Sequence, residues 1–234
     1  TMAFGIGAYL LSKHKPPGID QNTELQYRKD IWRSALLPLS MTAGANIINA
    51  QADIIMLGWY RSNEEVGIYR VVASSALIIN FGRHAITSVI SPYFARLYNM
   101  RDSRALQRLA SKSAWAMFLL SVPVFIIFWA IGDVLLGELF GEQFAVGHNA
   151  LKIMSIGFMA AVSMGSVGAL LNMSGNEKYT AIGAVFSAVI NIVLNFILIP
   201  MKGIEGASIA MSFSMVAGSF FLWCAAWKKA GIRS

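Results

Sequence analysis

Residues 179–200 read YTAIGAVFSAVINIVLNFILIP, a run of 22 residues without a single Asp, Glu, Lys or Arg. A helix needs about 20 mostly apolar residues to cross the hydrocarbon core of a bilayer. Five further stretches are long and apolar enough, at 34–60, 67–95, 113–136, 148–171 and 207–227. The sequence therefore predicts an all-α membrane protein whose six transmembrane helices form one lobe.

The composition agrees with a membrane environment. Of 234 residues, 56% are hydrophobic and 13% are charged, whereas soluble domains carry about 25% charged residues. A soluble domain of this size could not hide so much apolar surface in one core. Because Cys224 is the only cysteine, a disulfide framework is excluded as well.

The two ends of the chain lie outside this lobe. Residues 1–11 are apolar but too short to span, and they lack the features of a signal peptide. We interpret 1–11 as the end of a truncated transmembrane helix. We expect 12–33 to form a cytoplasmic loop between two lobes, 34–227 the six-helix lobe, and 228–234 a cytoplasmic tail.

The basic residues fall in alternate loops. Of 19 Lys and Arg, 14 lie within 12–33, 96–112, 172–178 and 228–234, while the intervening loops contain only Arg61 and Lys202. Cytoplasmic loops of membrane proteins are enriched in Lys and Arg. The pattern predicts a cytoplasmic (inner) membrane protein with a cytoplasmic C-terminus, and it explains the net charge of +7 without a nucleic-acid partner.

The first predicted span carries a polar stripe. Thr42, Asn46, Asn49 and Asp53 are spaced four, three and four residues apart, so they share one helix face. A carboxylate within a span costs about 2.5–3.5 kcal/mol on insertion scales. Two interpretations stay open: an Asp53–Arg70 ion pair that fixes the hairpin, or a coupling group that binds a proton or cation, with Asn49 beside it.

The second predicted span carries an arginine near its middle. Asn80, Arg83 and Thr87 share one face, and Arg83 lies too deep for easy snorkelling. A guanidinium suits phosphate oxygens, so we expect Arg83 to line a water-filled cavity that receives an anionic group. The alternative is a fixed pair with an acidic partner elsewhere. Histidine is the side-chain type most often used as a switch at physiological pH, so His84 is a candidate gating residue, unless it is only structural.

Two further patterns favour helix packing. One is a second polar stripe, interpreted as a packing seam or a cavity wall, and the other is a face of small residues for close helix contact. Their members are Ser187, Asn191 and Asn195 for the stripe, and Gly157, Ala161 and Gly165 for the small face.

Motifs for enzymatic chemistry are missing from the sequence. It contains no glycine loop of a nucleotide-binding type, no HExxH, no Cys/His cluster and no pair of loop carboxylates. We therefore expect a transporter that is not an enzyme and uses neither a cofactor nor a metal.

Short motifs at the loop edges follow one another in a fixed order. They are DIIMLG at 53–58, EVGIY at 65–69, SP at 91–92 with ARLY at 95–98, LFGEQF at 139–144, and GIEGA at 203–207 after the helix ending at Pro200. Together they resemble the polysaccharide and O-antigen lipid flippases of the multidrug/oligosaccharidyl-lipid/polysaccharide (MOP) superfamily. The resemblance covers about residues 40–230.

The resemblance implies a fold and a function. It implies twelve or more helices in two lobes, of which this chain would supply the second, with a missing N-terminal lobe as its partner. Such proteins are thought to move lipid-linked oligosaccharides by alternating access, driven by H+, Na+ or membrane potential, for surface polysaccharides such as the O-antigen of lipopolysaccharide. Arg83 would then anchor the diphosphate, with Arg70 as a secondary contact and Asn80 beside them.

Three rival functions remain. A drug/cation antiporter of the same superfamily would use Asp53 as its proton or sodium site and Arg83 as a structural group. A membrane-embedded polysaccharide polymerase or glycosyltransferase would need acidic catalytic residues or a large outer loop, and the sequence contains neither. A purely structural membrane subunit would leave Arg83 at mid-depth unexplained.

Overall fold

The computed structural model describes the backbone of residues 29–230 and the side chains of 36–228. The predicted helix end at 1–11, most of the loop at 12–33 and residues 231–234 of the tail lie outside the described residues. From Ala35 onwards the chain forms one compact unit. Every regular element in the described ranges is helical, which confirms the predicted all-α class.

Seven α-helices and two 3-10 turns make up the described part of the chain. They are α1 (Lys29–Tyr60), α2 (Asn63–Ala76), a 3-10 turn (Leu77–Asn80), α3 (Phe81–Asn99), α4 (Ser103–Phe140), a second 3-10 turn (Glu142–Gly147), α5 (His148–Ser163), α6 (Val167–Met173) and α7 (Glu177–Ala230).

Three helical stretches are long and apolar enough to cross a membrane: Ser103–Phe140, Glu142–Ser163 and Glu177–Lys228. The last is bent at Gly203, where φ is 57° and ψ is −129°, and each arm exceeds the roughly 20 residues that a span needs. The chain is therefore a multi-pass membrane protein.

Two of the six predicted spans are divided between separate helices, and a third, at 113–136, is kinked within α4 at Ile131, where φ is −135° and ψ is 23°. The span predicted at 67–95 is divided between α2 and α3 by the turn Leu77–Asn80. The span predicted at 148–171 ends as α5 at Ser163 and resumes as α6 at Val167. Gly165 lies between them with φ of +72°, a conformation that glycine adopts without steric cost. Hydrophobic length alone could not indicate either break.

Helix α5 lies at the centre of the lobe. Its residues Leu151, Met154, Phe158 and Val162 are buried in the core, and the helix packs against α4 and α7. Gly157 lies so close to Ser212 of α7 that a Cβ atom there would stand 2.7 Å from the Ser212 Cα atom. The close contact expected for Gly157 therefore exists. Gly165 lies at the break between α5 and α6 and also comes close to α4, since a Cβ atom there would stand 3.0 Å from the Ala114 Cβ atom.

The first arm of α7 is held at its end by a residue from the α1–α2 turn. Nη2 of Arg61 donates to the carbonyl oxygens of Ile199 (3.3 Å) and Pro200 (3.0 Å). These carbonyls lie just before the bend at Gly203, where the helical hydrogen-bond ladder is disturbed. Arg61 thus supplies donors to the end of a helix arm that carries two of the site residues described below.

Candidate functional site

The first candidate site is a buried polar cluster around Asp53, between α1, α2 and the first arm of α7. Asp53 is 2% exposed. Its Oδ2 atom accepts from the Tyr69 hydroxyl at 2.6 Å, and its Oδ1 atom accepts from Nδ2 of Asn191 at 2.8 Å and from Nδ2 of Asn195. Three donors therefore converge on one carboxylate inside the lobe.

The cluster also contains amide oxygens that lack donors. Oδ1 of Asn195 and Oδ1 of Asn49 are both buried without a hydrogen-bond partner. Nδ2 of Asn49 donates to Ser187 on α7 at 3.4 Å, one turn along from the Asp53 contact. A carboxylate with nearby free amide oxygens is a set of hard oxygen acceptors, the ligand type that protons and hard cations prefer.

The structure does not contain the Asp53–Arg70 ion pair considered above. In the part of the chain that the structure describes, the only ion pair joins His148 to Asp133 at 3.8 Å. Arg70 is exposed on α2, while its neighbour Tyr69 is buried and contacts Asp53. Successive helix positions differ by about 100° in direction, so the buried position of Tyr69 directs Arg70 away from the cluster.

The second candidate site is a cavity of about 190 Å³ beside Arg83. Its wall comes from α3, from the segment that joins α5 to α6, and from the second arm of α7; the lining is Arg83, His84, Thr87, Met164, Gly165, Ser166, Val167, Gly168, Ala169, Ser219 and Leu222. Arg83 is half-buried. No hydrogen bond or ion pair engages its guanidinium among the described residues.

The cavity coincides with the break between α5 and α6. Irregular backbone at membrane depth is tolerated only where protein covers it or where it lines a water-filled cavity. The hydroxyl oxygen of Ser166, at this break, is buried and has no hydrogen-bond partner. An unpaired cation and an unpaired hydroxyl therefore border one cavity, a combination that suits an anionic ligand.

The predicted site residues form two groups, and two of the residues belong to neither. Arg83, His84 and Thr87 border the cavity, and Asp53 and Asn49 contact α7 in the buried cluster. Asn80 and Arg70 join neither group: Asn80 is buried with an unpaired Oδ1, and Arg70 is exposed.

Sequence reasoning overlooked two components. Tyr69 lies in α2 among the buried apolar residues Ile68, Val72 and Ala76, so it looked like a core aromatic, yet its hydroxyl completes the Asp53 cluster. The two polar stripes were identified separately, and the structure shows that the Asn49–Asp53 stripe faces the Ser187–Asn195 stripe. Members of both stripes are spaced four residues apart, and this shared spacing was the sequence signal that could have paired the two stripes.

Taken together, these features define a membrane protein whose helices enclose a buried carboxylate cluster and an arginine-lined cavity. The MatE family model matches residues 38–197, which is more than half of the chain. The chain therefore belongs to the MatE family of the MOP superfamily.

Curated relatives include flippases named for glycan synthesis. The "Probable low-salt glycan biosynthesis flippase Agl15" of Haloferax volcanii is 23% identical over 94% of this chain and 45% of its own length. The "Putative O-antigen transporter" of Shigella flexneri is 27% identical over 68% of this chain and 38% of its own length. The chain thus spans less than half the length of these two relatives.

Solved structures share the fold. A multidrug resistance MATE family transporter of the MOP superfamily, in an outward-facing conformation, is 23% identical and superimposes with a TM-score of 0.69. The match covers 85% of this chain and 44% of that chain. The likeness confirms the helical architecture of a MOP transporter lobe.

Proposed function

We propose that the chain is a lobe of a transporter that moves a polyprenyl-diphosphate-linked oligosaccharide across the cytoplasmic membrane by alternating access. The observation that carries the proposal is Arg83, whose guanidinium borders a cavity at a helix break and has no partner within the described part of the chain. The names of the curated relatives support the same substrate class. A second lobe of the same fold would complete the cavity.

Arg83 would act as an anchor for the diphosphate. A guanidinium presents several donors in a fixed fork, and phosphate oxygens accept two of them at once. Thr87 and Ser166 add neutral hydroxyl donors on the same wall. His84 is exposed beside Arg83, borders the same cavity and would contribute to gating.

Asp53 would couple transport to an ion. Its carboxylate receives three donors but has no cationic partner among the described residues, and two amide oxygens of the cluster are unpaired. Binding of H+ or Na+ would neutralise the carboxylate and change how α1 and α7 are held together. The transporter would then alternate between states that differ in occupancy of this cluster.

The anchor is tested by replacing the chromosomal gene with variants and measuring surface polysaccharide export and the amount of protein in the membrane. Arg83→Ala should lower export at least tenfold at normal protein levels, because a charge-assisted phosphate contact is worth about 1.5–3 kcal/mol. Arg83→Lys should retain part of the activity, because lysine keeps the charge without the fork.

Arg96→Ala is the matched control, since Arg96 is an exposed arginine on the same helix and does not border the cavity. Its export should equal that of the unmodified protein. Normal export by Arg83→Ala would contradict the anchor proposal.

A drug/cation antiporter is the second candidate, favoured by the buried Asp53 cluster and by the fold shared with a multidrug transporter. It predicts that variants of Asp53 abolish efflux of cationic drugs while Arg83→Ala does not impair transport. Measuring drug resistance and polysaccharide export in the same strains distinguishes the two functions.

A further inference from the structure

The exposed face of the first part of α4 carries a row of basic side chains. Arg104, Arg108 and Lys112 are spaced four residues apart, so they follow one face of the helix. Arg101 lies in the turn that precedes the helix, and all four side chains are exposed. Leu106, on the opposite face, is buried in the core. We call these four residues the basic stripe.

The basic stripe has no counterion in the part of the chain that the structure describes. The only ion pair found there lies elsewhere, between Asp133 and His148, and no hydrogen bond engages the four side chains. Asp102, the acidic residue within the segment, already accepts from the backbone N–H of Ala105 at the start of α4. Among the described residues, the charge of the stripe is therefore not neutralised.

The position of the stripe on its helix is electrostatically unfavourable in water. Cations are disfavoured near a helix N-terminus because the partial charge there is positive, yet Arg104 and Arg108 lie in the first two turns of α4. An anionic surface opposite these residues would offset that repulsion.

An exposed tryptophan places the stripe at the membrane interface. Trp115 is 66% exposed, lies three residues beyond Lys112 and continues the same helix face. Tryptophan is enriched at the level of the lipid headgroups. The part of α4 before its kink at Ile131 comprises residues 103–130 and is about 42 Å long at 1.5 Å per residue, so its first turns extend past the hydrocarbon core of about 30 Å.

Two cavities lie near the stripe. A cavity of about 540 Å³ lies at the turn between α3 and α4 and is bordered by Tyr98, Asn99, Arg101, Asp102 and Ser103, with Leu97 and Leu106 beneath them. A groove of about 310 Å³ is bordered by Trp115, Phe118 and Ala114 of α4 and by Ser163 at the end of α5. Basic and hydroxyl groups thus precede an aromatic groove along one helix.

We propose that the stripe and the groove together bind an anionic phospholipid, whose phosphate contacts Arg108 and Lys112 and whose acyl chain lies against Trp115 and Phe118. The order of side chains along α4 matches the parts of such a lipid. The cations would lie in the headgroup layer, Trp115 at the interface, and the apolar groove beside the acyl chain. This site is separate from Asp53 and from the Arg83 cavity, so it does not depend on the transported substrate.

The test uses the full chain reconstituted in vesicles of phosphatidylcholine with increasing phosphatidylglycerol. In separate samples, one of the two lipids carries brominated acyl chains, which quench the fluorescence of nearby tryptophan side chains. The contribution of Trp115 is the difference in fluorescence between the unmodified chain and Trp115→Phe. Each basic residue near an anionic surface contributes about 1 kcal/mol, or about fivefold in affinity. We expect the site beside Trp115 to bind phosphatidylglycerol with at least fivefold higher affinity than phosphatidylcholine.

The decisive variant is Arg104→Gln/Arg108→Gln/Lys112→Gln, which should bring the preference close to one. Its matched control, Arg96→Gln/Lys178→Gln/Lys228→Gln, removes the same number of exposed basic residues outside the stripe and should keep the preference. Because both triple variants remove three charges, an effect of total charge on folding or insertion would affect both alike.

Three results would overturn the proposal. They are no preference at Trp115 in the unmodified chain, an equal loss in both triple variants, or an unchanged preference in the stripe variant. Inorganic phosphate, compared with chloride at equal ionic strength, should not displace phosphatidylglycerol. Displacement by phosphate would identify a simple anion site and contradict a lipid-specific one.

Discussion

At the scale of single residues, the Asp53 cluster contrasts with the surroundings of Arg83. The Asp53 carboxylate accepts three hydrogen bonds. The Arg83 guanidinium, in contrast, has no partner among the described residues. Buried polar groups are normally satisfied. The Asp53 cluster is therefore organised in advance, while Arg83 is available to a ligand.

Replacing Asp53 should separate ion coupling from substrate binding. In vesicles with an imposed Na+ or pH gradient, Asp53→Asn should transport at a rate at least tenfold lower and independent of the gradient, because a neutral amide cannot gain or lose the charge. Asn46→Ala is the matched control, since Asn46 is an exposed polar residue of the same helix. Gradient-dependent transport by Asp53→Asn would contradict the coupling role.

Tyr69→Phe should change the affinity of the cluster without abolishing coupling. Removing the hydroxyl leaves Oδ2 of Asp53 without its donor, so a proton or cation would be bound more tightly. A hydrogen bond to a charged group is worth about 1.5–3 kcal/mol, and the half-saturating ion concentration should fall about tenfold or more. The measurement is the ion dependence of the transport rate, and an unchanged dependence would exclude Tyr69 from the ion site.

The polar faces could be predicted from the sequence, but their partners could not. Spacing determines which residues share a face of one helix, and it identified Asn49 with Asp53 and Asn191 with Asn195. It does not determine how one helix is rotated against another. For that reason the Asp53 partner considered from the sequence was Arg70, while the structure shows Tyr69, Asn191 and Asn195.

At the scale of helices, the crossing of α5 and α7 depends on the absence of a side chain at Gly157. A Cβ atom there would meet both the side chain and the backbone of Ser212, so the helices would have to separate. Gly157→Ala should destabilise the lobe by about 1–3 kcal/mol, the usual cost of overpacking. The measurement is unfolding in mixed detergent micelles.

Gly67→Ala is the matched control, because a Cβ atom at Gly67 in α2 would have no neighbour within 4 Å. Alanine is favoured over glycine in a helix by about 0.5–1 kcal/mol, so this variant should be as stable as the unmodified chain or slightly more so. If the two variants unfold alike, the α5–α7 crossing does not require Gly157.

Hydrophobic length predicted where the helices lie but not where they break. The bend at Gly203 falls in the predicted loop 201–206, since glycine and proline accompany it in the sequence. The break after Ser163 was not predicted, because Gly165 also fitted a face of small residues. In the structure Gly165 has both properties, a positive φ at the break and a close approach to Ala114 of α4.

At the scale of the whole molecule, the orientation in the membrane remains a prediction from the basic loops. It is measured in a Cys224→Ser background with single cysteines at the exposed positions Asn63 and Asn99. An impermeant maleimide should label Asn63→Cys in intact cells and Asn99→Cys only after permeabilisation. The reverse pattern would overturn the orientation.

The break between α5 and α6 also bears on how the protein is made. Residues 148–171 include one charged side chain, Lys152, and none between 153 and 171, so during synthesis the segment is hydrophobic enough to enter the bilayer as one continuous helix. We expect its division at Gly165 to arise at a later stage, when the helices already in the membrane pack together. If the helix breaks only after insertion, no backbone N–H or C=O group without a hydrogen bond has to enter the lipid. The irregular segment beside Arg83 then forms where neighbouring helices already shield it.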